Sequence, residues 1–154
     1  MDIKILNRES IESLAQTPFA PGTAVISITD AEWTYAELNN KPQFLLQISF
    51  DDIDNDVFED DLGRRPTEEE RVAIEKEYNM LSDEQAREIA LFYKQVKDSI
   101  TTLICQCEHG QSRSAAVAAA ILEFENKNGI TIFADDDYFP NKVVFRKVYK
   151  ALTE

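Results

Sequence analysis

Apolar positions along the chain fall into short continuous runs separated by longer stretches with helical spacing. Thr23 to Thr29 (TAVISIT) is β-branched and apolar almost throughout, the pattern of a buried strand, and Phe44 to Phe50 (FLLQISF) predicts the next one. Ile3 to Leu6 predicts a short edge strand, and a further run opens at Leu103. Between them lie helical stretches. Ser10 to Gln16 predicts a short helix closed by Pro18 and Pro21, with Gly22 turning the chain. Asp30 is expected to cap a helical turn running through Trp33 to Leu38. Pro66 and Thr67 open an exposed helix with Val72, Ile74 and Tyr78 as packing residues. Ser82 and Gln85 form a capping box for a helix whose stripe is Ala86, Ile89, Ala90, Phe92, Tyr93 and Val96. An alanine-rich helix follows Ser112 and is expected to end near Asn128 and Gly129. Ile130 to Phe133 reads as a brief extended piece. Asn141 to Leu152 is the last helix, with Val144, Phe145, Val148, Tyr149 and Leu152 facing inward.

Composition narrows the class. At 154 residues and 44% hydrophobic content the chain suits one globular domain, in which 57–80 is an acidic, helical stretch. A net charge of −13 argues against nucleic acid or an anionic membrane surface as a partner. Much of it is local, since Asp51 to Glu77 carries twelve acids against four bases, a net of −8. No apolar run spans a membrane and no leader pattern opens the chain, so the expected location is the cytoplasm. His109 is the only histidine and Cys105 and Cys107 are the only cysteines, too few for a Cys/His zinc site; no metal or other cofactor is expected. Asp135 to Asp137 lack the spacing of a calcium loop.

The chemistry concentrates in Leu103 to Leu122, LICQCEHGQSRSAAVAAAIL. A strand, a polar loop with Gly110 at its turn and a helix N-terminus converge backbone N–H groups on one point, where the helix dipole adds positive potential. That is an anion cradle, and the expected anion is phosphate. Cys107 ends the strand and Arg113 follows six residues later. Thiols at helix N-termini beside arginine ionise more readily than free cysteine, and a guanidinium offers two phosphate oxygens a planar fork. The loop residues Glu108, His109, Gly110, Gln111 and Ser112 would contribute mainly backbone donors.

The segment from Cys107 to Ser114, CEHGQSRS, resembles the phosphate-binding loop of the cysteine-dependent protein tyrosine phosphatases, and SRSAAVAAAI is similar to the small dual-specificity-like members. The resemblance implies a three-layer α/β fold with a short, mostly parallel sheet of four or five strands between helices, consistent with the alternation above. It also implies phosphomonoester hydrolysis through a phosphocysteine, a phosphorylated protein or small phosphomonoester as substrate, and Ser114 assisting release of the thiolate. Family members usually place His directly before the nucleophile, where this chain has Gln106.

Hydrolysis also needs a proton for the departing oxygen. FDDIDND, from Phe50, follows a strand whose carboxyl end should share an edge with Cys107. The family's acid is an aspartate on such a loop, so Asp52 is the first candidate, with Asp51 and Asp54 as alternatives. Two other readings stay open: a phosphate or phosphopeptide-binding module with little catalysis, and another cysteine-based enzyme such as a sulfurtransferase or arsenate reductase.

Overall fold

The computed structural model describes residues 1–154. Four strands, β1 (Asp2–Leu6), β2 (Thr23–Thr29), β3 (Phe44–Ser49) and β4 (Thr102–Gln106), form one sheet in the order β1-β4-β2-β3, all parallel. The register pairs Ile3 with Leu103 and Ala24 with Leu103, so β4 lies between the edge strand β1 and the central β2. Period-two alternation then divides the side chains. Ala24, Ile26, Ile28, Leu103, Cys105 and Cys107 point into the larger core, while Val25 and Ile104 point into a smaller one on the opposite face. Burial on both faces explains why β2 reads as a continuous apolar run.

The helices are α1 (Arg8–Leu14), α2 (Asp56–Leu62), α3 (Glu68–Glu77), α4 (Asp83–Val96), α5 (Arg113–Asn126), α6 (Ile130–Phe133) and α7 (Lys142–Thr153). Ile11 of α1, with Ala15, Ala36 and Leu38, covers one face of the sheet; α4, α5 and α7 cover the other. The result is the α/β three-layer architecture expected. In α4 the Ser82–Gln85 capping box is present, and the predicted stripe is buried except for half-buried Phe92. Ala115 to Ala120 are all buried, which lets α5 lie close against its neighbours. A truncation such as Ile26→Ala in this core would cost about 2–5 kcal/mol.

Three local expectations fail, each for a physical reason. Residues 30–38 form no helix: Asp30 turns its carboxylate to Arg113, Ala31 donates its amide to Asp51, and Glu32 takes a positive φ of 63°. Ile130–Phe133 is a helical turn, because the amides of Thr131 and Ile132 bond back to Asn128 and Gly129. Helix α5 ends at left-handed Lys127, near the Asn128–Gly129 pair as expected; Gly129 is needed because a Cβ there would meet the Ala119 carbonyl oxygen at 2.5 Å. Val72 is 52% exposed, whereas Ile74 and Glu75 are the buried positions of α3.

The acidic stretch forms two helices, of which α2 escaped prediction. Its seven residues, DVFEDDL, are mostly acidic and give only Val57, Phe58 and Leu62 to a face. Phe58 joins Ile74, Met80 and Val143 in a small separate core. Helix α3 has a capping box of its own between Thr67 and Glu70.

Candidate active site

Strand β4 ends at Gln106 and α5 begins at Arg113, so Cys107 to Ser112 must reverse the chain between them. The loop is held from outside through its carbonyls. Amides of Arg8, Phe139 and Asn141 donate to the carbonyl oxygens of Glu108 (3.1 Å), Gln111 (2.9 Å) and Ser112 (3.2 Å). The N–H groups from Glu108 to Ser112 donate to no protein acceptor, which leaves them for an anion. Gly110 sits at φ 66°, and a Cβ there would lie 2.7 Å from the backbone nitrogen of Asn7, so both conformation and space require glycine.

Cys107 is 2% exposed, and its Sγ lies 3.0 Å from the Ser114 hydroxyl on the first turn of α5. Arg113 is also buried. Its Nη1 donates to the Phe50 carbonyl (2.7 Å) and pairs with Asp30 (2.8 Å), while its Nε is buried without a partner. An orphaned guanidinium N–H beside a row of free amides fits a bound phosphate oxygen. A cleft of about 260 Å³ is lined by Cys107, His109, Gln111, Ser112, Arg113, Asp52 and Phe139.

The three acid candidates have different surroundings. Asp51 accepts the Ala31 amide (2.9 Å), and Asp54 accepts the amides of Lys142 (2.9 Å) and Val143 (3.3 Å) at the start of α7. Asp52 alone of the three faces the cleft. The Ser112 hydroxyl (2.7 Å) and the Asn141 side-chain amide (2.9 Å) both donate to its Oδ1, leaving Oδ2 without a protein partner. Of the other predicted residues, His109 and Gln111 are exposed at the cleft rim, while the Glu108 side chain turns away toward Arg8 at 3.6 Å.

Three participants went unrecognised in the sequence. Asp30 was detectable, since it follows β2 on the edge that singled out Asp52, but it resembled a helix cap. Asn141 was legible only as a helix start; it does cap α7 through Val144 while also holding Asp52. Phe139, 69% exposed beside the cleft, carries no local signal.

Gln106 is fully buried and occupied at both ends. Its Nε2 donates to the Cys107 carbonyl (3.1 Å) and its Oε1 accepts from the Ser27 hydroxyl (2.5 Å). Burial and the adjacent Cys107 push the Cys105 thiol up to about 12, a poor setting for a redox partner. No three His, Cys, Asp or Glu side chains converge to hold a metal ion, and no helix is long and apolar enough to cross a membrane.

The sheet, its flanking helices and the strand–loop–helix at Cys107 define a protein tyrosine phosphatase-like fold. The crystal structure of Tk-PTP in the active form matches with a TM-score of 0.52 at 16% identity, over 99% of this chain and 91% of that one. That of PTPMT1 gives 0.45 at 12% identity, over 99% and 90%. No family model matches the sequence, and no curated protein matches it.

Proposed function

We propose that the chain is a cysteine-dependent phosphatase that hydrolyses phosphomonoesters, phosphoproteins foremost, in two steps. The Cys107 thiolate attacks phosphorus, an S–P bond forms and the P–O ester bond breaks, while Asp52 passes a proton from Oδ2 to the leaving oxygen. Water then attacks the phosphocysteine, giving its proton to Asp52; the S–P bond breaks, and inorganic phosphate and the thiolate are released. The Ser114 hydroxyl donates to the departing sulfur. Arg113 and the amides from Glu108 to Ser112 hold the three non-bridging oxygens throughout. Asp30 orients the guanidinium, and Ser112 and Asn141 orient Asp52.

The observation that carries this reading is the unsatisfied cradle: free amides and the buried, unpartnered Arg113 Nε beside a thiol 3.0 Å from a hydroxyl. A neutral amide in Gln106 supplies the bond to the Cys107 carbonyl, so the position before the nucleophile adds no group that titrates near neutrality. The raised Cys105 thiol disfavours a dithiol reductase. Turnover of p-nitrophenyl phosphate by the purified chain, lost in Cys107→Ser, is the test; undiminished turnover in that variant rejects the proposal. A module that only binds would retain phosphopeptide affinity with no turnover in the wild type.

A further inference from the structure

A larger cleft than the one at Cys107 lies beyond the end of α2. Helix α2 ends at Leu62, Gly63 turns the chain at φ 66°, and Arg64, Arg65 and Pro66 lead toward α3. This turn, α3 and α7 enclose about 560 Å³, against about 260 Å³ beside the thiol. Arg64, Arg65, Arg71 and Arg146 all line it, four of the seven arginines in a chain of net charge −13. Glu59 is the one carboxylate in its walls.

Two of these arginines are already neutralised. Arg64 meets both Glu70 oxygens at 2.9 Å, and Arg71 meets Glu68, Glu75 and Asp83. Arg65 and Arg146 are exposed and form no ion pair; the Arg146 side chain has only a 3.4 Å contact to the Asn55 side-chain oxygen. Two like charges left facing one concavity, in a chain with 29 acidic residues available to pair them, match an anion. The planar forks suit phosphate oxygens.

We infer that this cleft is a second anion site, which binds a phosphate group other than the one at Cys107 through Arg65 and Arg146. The inference does not depend on chemistry at the thiol. Asp52 lines the first cleft and Asn55 the second, and three residues of chain hold their Cα atoms at most about 11 Å apart. A ligand with two phosphate groups on a short spacer can reach both.

The test uses inorganic phosphate titrated into isotopically labelled protein, followed by amide NMR, and peptides carrying one or two phosphates. Arg113→Ala, which removes the fork at the first cleft, should still show phosphate-dependent shifts at Gly63, Arg64 and Arg65. Adding Arg65→Ala and Arg146→Ala should weaken that binding by about tenfold or more. In an otherwise unaltered chain, the same pair of exposed substitutions should lower the ratio of kcat/KM for the two-phosphate peptide to that for the one-phosphate peptide by about tenfold. Absent shifts around Gly63, or a titration and a ratio that the double substitution leaves unchanged, overturn the inference. Hydrolysis of p-nitrophenyl phosphate by the wild type is read separately, so failure of the Cys107 proposal stays distinguishable.

Discussion

The cradle at Cys107 and the α2–α3 segment are built by opposite means. The cradle is fixed by backbone hydrogen bonds and by apolar packing of β4 and α5, and its arginine, Arg113, is buried. The α2–α3 segment is seated mainly by ion pairs, with Lys147 of α7 reaching Glu75 (2.5 Å) and Asp83 (3.1 Å) while Arg71 bridges α3 to Asp83, over a core of four buried residues. A preorganised cradle needs no reorganisation during reaction. The charged segment can carry recognition through Arg65, which remains exposed. The Phe50–Asn55 segment joins the two, and its Asp51 amide is tied to the Asn79 carbonyl at 2.8 Å. Asp52 therefore lies at the junction.

The contrast breaks most sharply at Arg113. Arg113→Ala should cut kcat/KM by about 10³-fold or more, measured with p-nitrophenyl phosphate; a loss under tenfold would show that the free amides suffice. Asp52→Asn should cost about 10²–10³-fold in kcat for an alkyl phosphate, and much less for p-nitrophenyl phosphate, whose leaving group needs no proton. Equal losses for both substrates would move the acid role elsewhere, with Asp30 the next residue to replace. Gln106→Leu should lower kcat by about tenfold and slow iodoacetamide alkylation of Cys107, because the thiol's own carbonyl loses its donor and Ser27 its acceptor. Gln106→His, which keeps a donor, should recover part of both. A purely packing role would instead lower stability and leave alkylation unchanged.

Effects in the α2–α3 segment should register in stability first. Lys147→Met leaves Glu75 with only Arg71, at a cost of about 2 kcal/mol in urea unfolding, and kcat should move less than about threefold. A larger fall in kcat would mean that the α2–α3 segment positions Asp52. The smallest effect is in acid. The Arg64 fork and the Thr67 amide hold the Glu70 carboxyl at about 2, below the ordinary 4.5. Its folded-state value is depressed, so its contribution is present above about pH 4.5 and is lost as pH falls toward 2. Solvent exposure keeps it small. Amide signals of α3 should therefore weaken before those of α5 as acid is added, and simultaneous loss would contradict the difference in construction.

What could be read from the sequence follows the same divide. Strands β2 and β4 and the Cys107–Ser114 loop are local patterns: alternation, one glycine with a fixed backbone need, a cysteine and an arginine at set spacing. Capping boxes at Thr67 and Ser82 concern residues three apart, and the one at Ser82 was visible in the sequence. Asp30, Asn141 and Phe139 were missed because their roles depend on pairings across 83, 89 and 28 positions, to Arg113, Asp52 and Gln111. The arginine cleft likewise needs Arg146 of α7 brought against Arg65, which no local pattern encodes.

The phosphocysteine itself is the most direct evidence to seek. Rapid acid quench of Asp52→Asn turning over p-nitrophenyl phosphate, followed by peptide mass spectrometry, should find one phosphoryl group on the peptide containing Cys107, removed by Cys107→Ser. Turnover with no phosphoryl on that peptide, or phosphorylation of another residue, would contradict nucleophilic attack by Cys107.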